Sequence, residues 1–147
     1  TGSVFTRILR SGLSDDETQI VHRGSTCFAI LNAYPYSTGH LLVIPYREVA
    51  ELELLEPAEV AELWSTVTDG VRAVRSAFSP EGGNVGVNLG RPAGGTVPEH
   101  LHVHVVPRWV GDSNFMTSIA NTQTLPEALG ASAARVRDAW PRLDATS

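Results

Sequence analysis

The chain has 147 residues, 42% of them apolar and 18% charged, and a formal net charge of −5. This composition predicts a globular domain with a sizeable core, and the negative charge argues against binding along a nucleic-acid backbone, which usually requires a basic face. No segment approaches the roughly 18 consecutive apolar residues of a membrane-spanning helix, and no basic stretch followed by an apolar run marks a signal peptide. We therefore expect one domain over residues 1–147 that is cytoplasmic and binds neither nucleic acid nor membrane.

The first half of the chain contains three segments rich in strand-forming residues. We predict strands over Thr18–His22, Thr26–Leu31 and His40–Ile44. Residues Asn32–Gly39 are rich in turn-forming types and are predicted to form a loop. Cys27, the only cysteine, cannot form an internal disulfide and has strand-forming apolar neighbours, which indicates a buried structural thiol in a reducing compartment.

The strongest helix signal runs from Pro57 to Phe78. Proline is favoured at the first helical position, and apolar residues follow at spacings of three and four: Val60, Leu63, Val67, Val71, Val74 and Phe78. Gly70 interrupts this pattern at a cost of up to about 1 kcal/mol, which close packing against a neighbour would justify. A helix of this length spans roughly 33 Å, enough to cross a sheet.

The second half predicts strands over Asn84–Leu89 and His100–Val106 and a helix over Pro126–Trp140. Strands separated by one long helix are typical of the α+β class. The predicted architecture is a mostly antiparallel sheet of about five strands, with one long helix packed on it and a second helix at the C-terminal end.

The most informative segment is the run His100-Leu101-His102-Val103-His104-Val105-Val106. Because side chains alternate between the faces of a strand, the apolar residues can pack on the long helix while the three imidazoles face a cleft. Imidazole titrates near neutral pH, so one ring can act as a nucleophile while its neighbours handle protons and charge. This pattern indicates a catalytic row of histidines.

Two other interpretations of the row remain open. His-x-His on a strand is a common pair of metal ligands, and His22 and His40 could complete a metal site. The row could also be an ordinary solvated strand face, although threonine, lysine or glutamate would be more usual there.

A glycine-rich loop, Gly90–Thr96, precedes the histidines. Glycines allow backbone N–H groups to approach an anion closely, and Thr96 adds a hydroxyl, so the loop is a candidate phosphate cradle. Arg91 and Arg108 are possible charge partners for the phosphates.

These residues resemble the histidine triad (HIT) superfamily of nucleotide hydrolases and transferases, whose signature is His-x-His-x-His followed by two apolar residues. The resemblance covers nearly the whole chain, because Asn32, Gly39–Pro45, the long helix and Asn88 also match. The continuation Pro107–Met116 is similar to a bacterial branch of diadenosine polyphosphate phosphorylases and hydrolases.

The resemblance implies a HIT-like fold and a reaction at the α-phosphate of a dinucleoside polyphosphate or related nucleotide. It implies that His102 attacks phosphorus and becomes nucleotidylated, that His100 and His104 orient it and handle charge, and that water or phosphate accepts the nucleotide. The implied nucleotide-binding residues are Asn32, His40, Asn88, Gly94, Gly95 and Thr96. Relatives usually form dimers that join their sheets, so we expect a homodimer.

One departure from the resemblance concerns a structural metal. Relatives often begin with a Cys-x-x-Cys zinc pair, completed by a later histidine and by the first histidine of the triad, whereas this chain has Ser3 and Thr6 at the pair and Glu48 at the later position. Hydroxyls are poor zinc ligands, so we expect no structural zinc and no required cofactor, although a divalent cation could arrive with the substrate. A metal-dependent enzyme that uses the histidines as ligands, and a nucleotide-binding module without turnover, remain the alternatives.

Overall fold

The computed structural model describes residues 1–33, 37–112 and 128–142, and its strands form one antiparallel sheet in the order β1-β2-β3-β5-β4. The strands are β1 (Ile20–Arg23), β2 (Cys27–Leu31), β3 (Leu41–Pro45), β4 (Gly82–Val87) and β5 (Val103–Arg108). The helices are α1 (Val4–Leu9), α2 (Asp15–Thr18), α3 (Pro57–Phe78) and α4 (Leu129–Ala139), and short 3-10 turns lie at Leu52–Leu54 and Arg91–Ala93. The predicted α+β class and the five-stranded antiparallel sheet are confirmed.

Helix α3 has the predicted bounds. The Glu59 carboxylate accepts a hydrogen bond from the Glu56 N–H at 2.8 Å and so caps the first turn, and Ser79 ends the helix in the left-handed conformation with a φ of 48°. At Gly70 a Cβ atom would lie 2.7 Å from Leu41 Cδ2. Close packing against β3 therefore explains a glycine in the middle of this helix.

Apolar side chains pack on both faces of the sheet. On one face, α3 and α4 cover a large cluster that includes Leu63 and Val67 from α3 and Val103 and Val105 from β5. On the opposite face a smaller cluster forms, which contains Phe5, Ile20, Phe28, Ile30, Leu42 and Ile44. The predicted packing of the apolar residues of the histidine segment on the long helix is confirmed, because Leu101 also belongs to the larger cluster.

The sequence did not predict the two helices before β1. Ser3 begins α1, where its hydroxyl accepts a hydrogen bond from the Thr6 N–H at 3.1 Å. Ser14 and Glu17 form a capping box that begins α2. Helix α2 takes the first residue of the predicted strand, and Gln19 then turns the chain with a φ of 71°, so that β1 begins only at Ile20.

Other boundaries differ by a few residues. Strand β4 lies two residues earlier than predicted, and α4 begins at Leu129; the predicted start at Pro126 lies outside the described residues, as do residues 34–36 of the predicted loop and residues 113–116 of the compared segment. No helix within the described ranges is long and apolar enough to cross a bilayer.

The predicted strand over His100–Val106 is wrong at its beginning. Strand β5 starts at Val103, which pairs with Val43 of β3. The residues before Val103 take no part in this pairing. The N–H of Leu101 donates to the Val49 carbonyl at 2.8 Å instead of to a neighbouring strand. His100 therefore lies at a bend and His102 on the short segment that leads into the strand, and only His104 lies within it.

Candidate active site

A cavity of about 550 Å³ lies between α1 and the end of the sheet where β5 begins. This volume is within the usual range for small-molecule sites. Its apolar lining includes Val4, Phe5 and Ile8 from α1 together with Ile30, Leu31, Leu42, Val97 and Leu129. Its polar lining includes Thr18, Gln19, Asn32, Asn88, Thr96, His102 and His104. The cavity thus combines an apolar end with a group of hydrogen-bonding side chains.

His102 is held by its own chain. Its Nδ1 lies 2.8 Å from the backbone carbonyl oxygen of His100, and the ring is only 6% exposed. Because a carbonyl oxygen can only accept a hydrogen bond, Nδ1 carries a proton, and in the neutral ring the lone pair is on Nε2. No described residue makes a hydrogen bond to Nε2. The edge of the Phe5 ring contacts this imidazole with the ring centroids 5.2 Å apart, which fixes its orientation further.

His104 stands next to His102, with ring centroids 5.1 Å apart. Its Nδ1 lies 2.9 Å from Nε2 of His40, which is fully buried behind it. Its own Nε2 is buried and has no hydrogen-bond partner among the described residues. Burial lowers the pKa of His104. Burial, reinforced by the proximity of the titratable rings of His104 and His102, lowers the pKa of His40 to about 3. Both rings are therefore neutral at physiological pH.

His100 occupies a different position from the other two triad histidines. Its ring is fully buried, its Nε2–H donates to the Pro45 carbonyl at 2.8 Å, and its Nδ1 lies 2.6 Å from Ser3 Oγ. It does not line the cavity. The expectation that all three rings face one cleft is therefore wrong for His100, because the chain bends before β5 and the ring packs against the start of α1.

The predicted nucleotide-binding residues are only partly brought together. Asn32, Asn88, Gly94 and Thr96 line the cavity together with His102 and His104, whereas Gly95 is buried and His40 lies behind His104. The Asn32 Nδ2 atom is 3.4 Å from both ring nitrogens of His40, so this amide adjoins the histidine pair. The nucleotide-binding roles of these residues stay predictions.

The glycine loop has an internal structure of its own. The N–H of Gly94 donates to the Arg91 carbonyl at 2.9 Å, and the N–H of Gly95 donates to the Gly90 carbonyl at 3.1 Å. These two amides are therefore engaged within the loop, and they would have to leave those partners before they could bind a phosphate. A Cβ at Gly95 would approach the Gly90 carbonyl oxygen to 2.8 Å, so glycine is needed here for close backbone packing.

The two arginines proposed as charge partners do not line the cavity. The Arg108 guanidinium donates to both carboxylate oxygens of Asp112 and to the Asn84 side chain, at the edge of the sheet. Arg91 lies exposed in the 3-10 turn of the glycine loop. Among the described residues that line the cavity, histidine is therefore the only ionisable type.

The wall that α1 contributes was not predicted from the sequence. Val4 and Ile8 are four residues apart, and this spacing places them on one face of a helix; together with Phe5 it is the signal that could have revealed the wall. Gln19 was not predicted either; its amide oxygen is buried without a partner among the described residues, and its backbone is left-handed. A strained backbone at a cavity is a feature that sequence patterns do not show.

Comparison with known proteins agrees with this arrangement. The HIT domain family matches residues 14–110. The chain is 48% identical over 130 residues to the "AP-4-A phosphorylase" of Mycobacterium tuberculosis. This match covers 88% of this chain and 67% of that protein. It is 38% identical over 95 residues to the asymmetrical bis(5'-nucleosyl)-tetraphosphatase of Schizosaccharomyces pombe, which covers 65% of this chain and 52% of that protein.

A solved structure of a histidine triad family protein is also similar to this chain. A zinc-bound histidine triad family protein from Mycobacterium smegmatis superposes with a TM-score of 0.74 at 28% identity, over 93% of this chain and 91% of that one. The chain belongs to the HIT family. It is an enzyme of the family's nucleotide hydrolase and transferase class, as the resemblance of its histidine segment implied.

Proposed function

We propose that this enzyme cleaves a dinucleoside polyphosphate at its α-phosphate through a nucleotidyl intermediate on His102. The hydrogen bond between His102 Nδ1 and the His100 carbonyl carries the proposal, because it leaves the Nε2 lone pair available at a cavity of suitable size. An imidazole held in one tautomer by its own backbone is a preorganised nucleophile. The names of the two curated relatives support a substrate of this class.

In the first step, Nε2 forms a bond to the α-phosphorus while the bond from phosphorus to the bridging oxygen breaks. The leaving nucleotide departs with that electron pair. His104 is the residue to stabilise charge on the phosphate, because its Nε2 is the buried, unpartnered nitrogen beside His102. It can donate a proton there when His40 Nε2–H donates to its Nδ1. His40 thus sets the tautomer of His104, and His104 donates a hydrogen bond to the phosphate.

In the second step, an oxygen of water or of inorganic phosphate attacks the same phosphorus. The P–N bond breaks, and its electron pair returns to Nε2. From diadenosine tetraphosphate, the first step releases ATP; transfer to water then gives AMP, whereas transfer to phosphate gives ADP. We propose phosphate as the acceptor, because the M. tuberculosis relative is named a phosphorylase.

The geometry disfavours the alternative in which the triad binds one metal ion. Both ring nitrogens of His100 are engaged, with Ser3 and Pro45, and His102 Nδ1 is engaged with the His100 carbonyl. Joint coordination by the three rings would require several of these bonds to break. We therefore propose that turnover requires no protein-bound metal.

The test is a product assay with diadenosine tetraphosphate, in the presence and absence of inorganic phosphate, read by chromatography. We expect ATP and ADP with phosphate, and no turnover in the His102→Ala variant. Mass spectrometry of a rapidly quenched wild-type reaction should show protein carrying one adenylyl group. His22→Gln is the matched control, because His22 stacks on Trp140 outside the cavity, with ring centroids 4.7 Å apart.

Three results would contradict the proposal. His102→Ala with near wild-type turnover would remove the nucleophile. Loss of activity after chelation, restored by a metal ion, would favour the metal-dependent alternative. Nucleotide binding by the wild type without any product would favour a binding module.

We also propose that two copies of the chain associate through β4. This strand forms one edge of the sheet, and all of its residues except the last are exposed. Val85 is 47% exposed on it and Leu89, just beyond its end, is 49% exposed. An exposed edge strand with apolar side chains is a template for pairing with another strand. Light scattering should give a dimer, and a clean monomer would contradict this proposal; a cytoplasmic location likewise remains a prediction.

A further inference from the structure

A group of hydrogen-bonded side chains, buried at Ser3 and His100 and open to solvent at Glu48, joins the start of α1 to the triad. We call Ser3, Thr6, Glu48 and His100 the N-terminal cluster. Ser3 Oγ lies 2.6 Å from His100 Nδ1, and both residues are almost fully buried, at 1% and 0% exposure. One carboxylate oxygen of Glu48 accepts two hydrogen bonds, from the Ser3 N–H at 2.8 Å and from the Thr6 hydroxyl at 2.7 Å.

The proton positions in the N-terminal cluster follow from its donors and acceptors. The Pro45 carbonyl can only accept, so the His100 Nε2 that faces it carries a proton. Burial lowers the pKa of His100, which keeps the ring neutral and leaves a lone pair on Nδ1. The Ser3 hydroxyl therefore donates to Nδ1, while its oxygen accepts from the Thr6 N–H. Both nitrogens of His100 are fixed, and Ser3 is itself fixed by Glu48.

The N-terminal cluster includes His100, which lies two residues before His102. The carbonyl of His100 accepts the Nδ1–H of His102, so the placement of His100 sets the tautomer and direction of the attacking ring. Phe5, in the same turn of α1 as Ser3 and Thr6, contacts both imidazoles, with ring centroids 5.5 Å and 5.2 Å apart. Whatever holds this turn of α1 in place therefore also holds His102.

A structural zinc ion does not fit these residues. The M. smegmatis structure of the same family is described as zinc-bound, and the resemblance assigns this position to the family's zinc ligands. Here the hydroxyls of Ser3 and Thr6 replace thiolates and are poor ligands for zinc. Ser3 Oγ, Thr6 Oγ1, Glu48 Oε1 and His100 Nδ1 are all engaged with one another.

We propose that the N-terminal cluster is a metal-free clasp in which Ser3 and Glu48 are positioning residues for His102. Hydrogen bonds that involve the two hydroxyls and the carboxylate hold α1 and His100 in place without a metal ion. The consequence for catalysis rests on the proposed function of His102, whereas the effect on its imidazole does not.

The first experiment measures that imidazole directly. In uniformly ¹⁵N-labelled protein, NMR should show His102 of the wild type protonated at Nδ1 alone, and Ser3→Ala should give a mixture of tautomers. Ser11→Ala is the matched control, because it removes a hydroxyl just beyond the end of α1 whose hydrogen bonds within the described residues are local, to Ile8 and Leu13. An unchanged His102 signal in folded Ser3→Ala protein would overturn the proposal, whatever the substrate is.

The second experiment separates positioning from binding. For Ser3→Ala we expect kcat to fall about ten- to a hundredfold with little change in KM, as for a small misplacement of a reacting group. Thr6→Val and Glu48→Gln keep the shape of the side chains and should give smaller falls in the same direction. These two variants also serve if Ser3→Ala does not fold. Wild-type kcat in all folded variants would overturn the positioning role.

The third experiment tests the absence of a metal. After incubation with excess Zn²⁺ and dialysis, elemental analysis should find much less than one zinc ion per chain, and a chelator should leave the thermal unfolding midpoint unchanged. Zinc retained at one ion per chain, and lost in the Ser3→Ala variant, would overturn the proposal.

Discussion

Nε2 of His40 lies 2.9 Å from Nδ1 of His104, and both rings are held neutral by burial. An unfolded histidine titrates near 6.5, whereas the pKa of His40 in the fold is about 3. Between pH 3 and pH 6.5, His40 is therefore protonated in the unfolded chain but not in the folded chain. The pair is therefore a source of acid sensitivity as well as part of the site.

The free energy of unfolding should accordingly fall as the pH drops from 6.5 towards 3. The contribution of His40 is fully present above 6.5 and is lost progressively below it, with a slope of up to about 1.4 kcal/mol per pH unit. Urea unfolding at a series of pH values should give a flatter profile for His40→Gln than for the wild type. Equal slopes for the two proteins would show that His40 is not buried as a neutral ring.

Asn32→Ala should weaken the binding of nucleoside monophosphate about five- to tenfold, the effect of one lost hydrogen bond. Calorimetric titration of AMP into the His102→Ala background isolates binding from turnover. Asn84→Ala is the matched control, because Asn84 accepts from Arg108 at the far edge of the sheet. Unchanged affinity in the Asn32 variant would remove this residue from the site.

Gly70→Ala should destabilise the fold by about 1–3 kcal/mol despite the higher helix propensity of alanine. The new Cβ would meet the Leu41 side chain at 2.7 Å in a part of the core that has no space for it. Gly130→Ala in α4 is the control, since nothing lies within 4 Å of its Cβ position, and it should stabilise by up to about 1 kcal/mol. Equal effects in thermal unfolding would mean that packing around Gly70 is loose.

Cys27 should resist alkylation in the folded protein. The residue is 1% exposed, and burial raises the pKa of its thiol to about 11, so very little thiolate is present at neutral pH. Mass spectrometry after iodoacetamide treatment should show modification only in urea. Rapid labelling under native conditions would contradict the description of Cys27 as a structural core residue.

The sequence predicted those elements whose pattern is long and regular. Pro57 and the stripe from Val60 to Phe78 predicted the two ends of α3, and the alternation of histidine with Leu101, Val103 and Val105 predicted which residues face that helix. Helix α1 was not predicted because its only signal is one pair, Val4 and Ile8, and a helix of six residues is stable only when tertiary contacts hold it, which propensity does not report.

The direction of the His100 ring was missed for a related reason. Its partners, Ser3 and Pro45, are 97 and 55 residues away along the chain. Hydrogen bonds over such separations depend on how the chain bends before β5, and the alternation rule assumes a straight strand. The alternation therefore predicted that His102 and His104 share one face, but not that the His100 ring turns away from the cavity.

Neighbouring positions along the chain into β5 serve opposite sides of the sheet, Val103 and Val105 towards α3 and His102 and His104 towards the cavity. A single residue inserted into or deleted from this segment would exchange the two sets, placing imidazoles in the hydrophobic core and valines in the cavity. Length changes here should thus remove folding and chemistry together, whereas substitutions can affect one and spare the other.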